Sequence, residues 1–246
     1  MTAFRTLWTA LVSLYEETLT LLAANLAALA LNLPLGLLVV LIAILAPNFQ
    51  DDVARQWLLG VVLWLMLYVP TPGNIALAGV TRVAAGPDVP RLGLFRAALR
   101  AHWRLALQCC VLSVVVMAAL IWNVLFYFNV GTGLLRLISI LWLYATLFWL
   151  AVHLYVAPLL VHVAEPRLLD VYRRAALVVL GHPGYTILLL VALLALGLLS
   201  VVFLPVYVLV AGAYISLVQA HALREIRRRH GDLALEAEAE EEVSRL

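Results

Sequence analysis

Two asparagines, Asn25 and Asn32, stand seven residues apart in an otherwise apolar run, and Pro34 follows two residues later. On a helix that spacing places both amides on one face. An amide in hydrocarbon either bonds a neighbouring helix, a gain of about 0.6–2 kcal/mol, or contacts a polar solute on a pathway. Pro34 has no N–H and so frees a carbonyl one turn back for a polar partner. Asn74, after Pro72 and Gly73, reads as the cap of the following helix or as a further solute contact. Packing and capping are the favoured roles.

His153 and His162 are nine residues apart, about two and a half turns, and point to opposite faces of a continuous helix. No third ligand accompanies them, so no metal and no cofactor is expected. His182 lies in the turn sequence GHPGY, and an interfacial or capping role is favoured for it. Trp57 with Trp64, and Trp142 with Trp149, repeat the seven-residue spacing. Such rings stack on sugars, but a membrane-interface belt with packing is the favoured reading. The sequence contains no GxxxxGKT, HExxH or GxSxG, so no catalytic residues are expected.

The elements that carry these residues must be membrane helices. Of 246 residues, 65% are hydrophobic and 12% charged, with a mean hydropathy of +1.05. Soluble domains are about half apolar and about a quarter charged. Nearly uncharged runs of 18 or more residues recur, each long enough for ~30 Å of hydrocarbon at ~1.5 Å per residue. Barrel strands would alternate in polarity, and these runs do not. The fold class is therefore an all-α polytopic bundle. No Asp or Glu falls inside a predicted hydrocarbon segment, which weighs against proton-coupled transport. All sixteen basic residues are Arg, and the only cysteines, Cys109 and Cys110, are adjacent, which offers no disulfide framework. No cleavable signal peptide is evident, because Glu16 and Glu17 interrupt the first apolar stretch.

Residues 1–18 read as an amphipathic interfacial helix, with Phe4, Leu7, Trp8, Leu11, Leu14 and Tyr15 on one face. Residues 19–224 hold about six spans: roughly 19–46, 56–70, 105–128 and 134–158, then two from the run 185–223, divided near Pro205. Residues 225–246 form a charged tail. Six spans leave only Arg55 and Arg136 facing away from the main arginine group, and the positive-inside rule then puts both termini in the cytoplasm.

The chain interrupts itself at Pro70, Pro72 and Gly73, and a related pattern recurs at Pro158. LYVP is followed by PRLGLFRAALR from Pro90, and LYVAP by PRLLDVYRRAAL from Pro166. Each unit reads as a span, a proline break, an amphipathic elbow and a return span, with elbows near 87–104 and 165–183. Arg91, Arg96, Arg100 and Arg104 in the first elbow, and Arg167, Arg173 and Arg174 in the second, suit anionic headgroups or a docking partner. Leu92, Phe95 and Leu99, and likewise Leu169, Tyr172 and Ala176, are expected to face lipid. Basic residues beside spans point to phospholipid and not to nucleic acid.

In NLAALALNLPLG, TPGNIALAGVTRVAAG, FRAALRAHWR and APLLVHVAEPRLLDVYRRAALVVLGHPGYTILLL the chain resembles the YesL-like bacterial integral membrane proteins, a family of unknown function. The resemblance covers about residues 10–225 and includes no catalytic signature. It implies a bacterial plasma membrane and the neighbourhood of solute importers, carbohydrate importers in particular. The expected function is thus a non-enzymatic accessory or regulatory protein beside an importer. The alternatives are a small permease lined by Asn25 and Asn32 and, more weakly, an intramembrane enzyme using His153 or His162. The sequence does not set the solute, the partner or the oligomeric state.

Overall fold

The computed structural model describes residues 3–45, 68–130, 133–163, 166–202 and 207–229. These are 91% helical, with no strand among them. The elements are α1 (Ala3–Glu16), α2 (Thr18–Leu45), α3 (Pro72–Ala84), α4 (Leu92–Val130), α5 (Leu134–His162), α6 (Leu168–Gly181), α7 (Pro183–Val202), a π-helical turn at Tyr207–Ala211, and α8 (Gly212–Arg229).

The short α3 is the centre of the bundle. It packs against α2, α4, α5 and α8, and nine of its 13 residues are buried. Its small residues explain how so many neighbours fit. A Cβ on Gly73 would lie 2.5 Å from the Ala28 carbonyl of α2, and one on Gly79 would lie 2.4 Å from Cβ of Ala98 in α4. Such close approach is how helices gain dispersion energy where lipid removes the hydrophobic incentive. The break before α3 falls at Val69–Thr71. Pro72 then occupies the first turn, where its missing N–H costs nothing.

Among the described residues three segments are long and apolar enough to cross a membrane: Thr18–Leu37, Leu92–Asn129 and Arg136–His162. A fourth exists if α6 and α7, bent by 104° across His182, count as one interrupted span. The chain thus has the apolar helices of a membrane protein. The expected span at 56–70, apart from its last residues, and the hairpin at Pro205 lie outside the described residues.

Three expectations change. Pro158 does not end its helix: α5 continues through it to His162. Proline in a helix interior costs about 3 kcal/mol, but Leu154, Tyr155, Val156 and Leu160 are buried on both sides of it, and their packing holds the turn together. Nor is the first elbow separate from its return span. α4 is one helix of 39 residues, because no Gly or Pro follows Gly93 before Gly131. Finally, residues 225–229 belong to α8 and not to a tail.

The amphipathic α1 turns its small and polar stripe inward. Ala3, Thr6, Ala10 and Ser13 are buried against the bundle, while Phe4, Trp8, Leu11 and Tyr15 are exposed, Trp8 by 59%. Thr6 shares a hydrogen bond with the Tyr185 hydroxyl at 2.7 Å, Ser13 with Nε2 of His221 at 3.0 Å, and Tyr214 donates to the Leu7 carbonyl at 3.1 Å. Polar bonds fasten the helix, and its oily face looks outward.

Candidate functional site

The asparagines converge on the break before α3. Asn25 and Asn32 share the inward face of α2 and are 0% and 4% exposed. Nδ2 of Asn32 donates to Oδ1 of Asn74 at 3.0 Å, and Nδ2 of Asn74 donates to the Val69 carbonyl at 2.7 Å. Nδ2 of Asn25 donates to the carbonyl of Leu209 at 3.0 Å, within the π-helical turn. A π turn shifts the regular backbone register, leaving carbonyls accessible to side chains. The amides therefore pin irregular backbone to α2 at two heights. Asn74 is not the cap: Oγ1 of Thr71 accepts from the Asn74 N–H at 3.2 Å. Thr followed by Pro is the sequence signature of a cap at that position, and it was the signal to read.

His153 belongs to a second buried knot, joining α4, α5 and α6. Its Nδ1–H donates to the Trp149 carbonyl at 2.7 Å, which fixes the tautomer and leaves Nε2 as an acceptor. Ser113 Oγ lies 2.7 Å from that Nε2, 2.9 Å from the Tyr172 hydroxyl and 2.6 Å from the Cys109 carbonyl. Trp149 stacks on Tyr172 with ring centroids 5.2 Å apart and planes inclined by 6°. A serine beside an imidazole acceptor is the pairing that activates a nucleophile. Here, however, His153 is 1% exposed, and the serine is saturated by partners from three helices. The arrangement ties α6 to α4 and α5. Ser113 and Tyr172 were not legible as its members, since their spacing along the chain carries no pattern.

His162 does not join His153. Its Nδ1–H bonds the Pro158 carbonyl at 2.7 Å, which supports the turn that proline weakens. Among the described residues no group of three or more His, Cys, Asp or Glu could hold a metal. Trp57 and Trp64 lie outside the described residues.

All seven elbow arginines are exposed: Arg91, Arg96, Arg100 and Arg104 beside or on α4, and Arg167, Arg173 and Arg174 beside or on α6. The Arg104 guanidinium lies over the Trp103 ring at 5.5 Å. Their apolar neighbours divide differently from expectation. Leu92 and Leu169 are exposed, but Phe95 and Tyr172 are 9% and 8% exposed and pack into the core. These segments use part of their apolar stripe to grip the bundle.

Two further arginines, Arg82 and Arg224, reach across helices. Arg82 donates to the Val161 carbonyl at the end of α5 at 2.6 Å, and Arg224 donates to the Ala85 carbonyl just past α3. Both satisfy carbonyls at helix C-termini, where a cation is favoured. In comparisons with known proteins the chain matches no family model, no curated protein and no solved structure.

Proposed function

We propose that this chain is a non-enzymatic accessory or regulatory protein of a bacterial plasma membrane, working beside a solute importer. In this reading it crosses the bilayer about six times with both termini in the cytoplasm. Its two amphipathic stretches, one opening α4 and the other forming α6, meet anionic headgroups and an importer subunit. One observation carries the reading: seven arginines on those stretches are exposed, whereas the interior amides are committed to joining helices. Charge held outward serves a surface partner. The carbohydrate nature of the solute follows from the YesL-like resemblance of the sequence alone. The permease reading loses its main support, since Asn32 bonds Asn74 and Asn25 bonds the Leu209 carbonyl.

Purification of the tagged protein from native membranes tests this. Importer subunits should co-purify with the wild type. Replacing Arg96, Arg100, Arg173 and Arg174 together by Gln should release them, while the variant remains folded in the membrane. Co-purification of importer subunits that survives the quadruple substitution would remove the arginines from the docking role. Flux of solute through liposomes containing the chain alone would replace the accessory reading by a permease.

A further inference from the structure

At the end of the bundle where α3 and α5 terminate, an open cleft of about 490 Å³ lies between four helices. Arg82 reaches it from α3, Arg224 and Arg227 from α8, His102 from α4 and His162 from α5. Gly79, Gly86 and three alanines of α4 supply much of the remaining wall, so no bulky side chain fills it. Among the described residues a single carboxylate, Asp88, borders it. We propose that this cleft binds a phosphate monoester, presented either by a phospholipid headgroup or by a free phosphate compound.

Charge favours it: three guanidiniums oppose one carboxylate. The C-termini of α3 and α5 oppose an anion, each carrying about half a negative charge. Arg82 and Arg224 meet that difficulty directly by bonding the Val161 and Ala85 carbonyls. Each bond uses one N–H of the five a guanidinium carries. It also fixes the side chain in place before any ligand arrives, which lowers the entropic cost of binding. Planar, fixed guanidiniums are the side chains best matched to phosphate oxygens. The volume suits a headgroup or a small metabolite.

Depth favours it as well. The stretch Leu105–Phe128 of α4 spans roughly 36 Å at ~1.5 Å per residue, enough by itself for the hydrocarbon. The part of α4 that lines the cleft, from Leu94 to His102, precedes that stretch, so a bilayer centred on 105–128 puts the cleft at headgroup level. This inference stands apart from the importer reading, for it uses none of the elbow arginines.

Native mass spectrometry of the full chain in neutral detergent tests it, with dioleoyl phosphatidic acid and dioleoyl phosphatidylcholine as probes. Arg82→Gln would uncap α5 and endanger folding, so the informative variants are Arg227→Gln and Ala97→Glu. The second places a carboxylate in the cleft from an exposed helical position and leaves every arginine intact. The wild type should prefer phosphatidic acid by tenfold or more, and both variants, folded by circular dichroism, should lose that preference. Displacement of the lipid by millimolar glycerol 3-phosphate or inorganic phosphate would identify a free phosphate compound as a ligand. Failure to displace it would identify the headgroup. A wild type without preference for the monoester, or folded variants that keep it, would overturn the proposal.

Discussion

The bond from Asn32 to Asn74 joins α2 to the first turn of α3, and both partners are buried. Deleting one partner leaves the other without it, at a cost of about 1–3 kcal/mol. Asn74→Ala should therefore lower stability by about that much in equilibrium unfolding from mixed micelles. The double variant with Asn32→Ala should cost clearly less than the two single losses added. Strict additivity would mean that the two amides do not interact. The shared face of Asn25 and Asn32 was legible from their spacing, since a period of seven survives any packing. Their partners were not: Leu209 is 184 residues from Asn25 in sequence, and no local pattern announces a carbonyl offered by a π turn.

Among the elements, α3 and α4 press together through Gly79 and Ala98. Gly79→Ala should destabilise the protein by about 1–3 kcal/mol through overpacking, and adding Ala98→Gly should restore much of the loss. Gly73→Ala meets the backbone carbonyl of Ala28 instead, and no side-chain substitution at that contact can relieve it. A melting series of the three variants separates the two contacts. Element boundaries followed the chain where proline or glycine punctuated it, as before α3 and around His182. They failed at Pro158, where tertiary packing outweighed the local penalty. The expected lipid-facing sides failed at Phe95 and Tyr172, for a reason particular to membranes. Lipid is as apolar as leucine, so an amphipathic period separates wet from oily faces but cannot say which oily side chain meets protein and which meets lipid.

For the whole molecule, the length of α4 sets a ruler. Its 39 residues extend roughly 58 Å, about twice the hydrocarbon thickness. A bilayer crossed by this helix would have its arginine-bearing end on one side and its far end on the other. In a background with Cys109 and Cys110 replaced by Ala, single cysteines at positions 96 and 173 should react with impermeant maleimide from one side, and a cysteine at Gly133 from the other. Reaction of 96 and 173 from opposite sides would end the two-elbow arrangement.

Because the central α3 leans on α8 as well as on α2 and α4, its lodging is finished only by residues about 130 positions further along, where Thr81 shares a hydrogen bond with Ser216. A nascent chain halted before Gly212 would leave that keystone open on one side, with the threonine hydroxyl lacking its Ser216 mate. Completion of the α3 packing therefore waits for α8. Truncated products should be cleared by membrane proteases far faster than chains carrying point changes in the outward arginines.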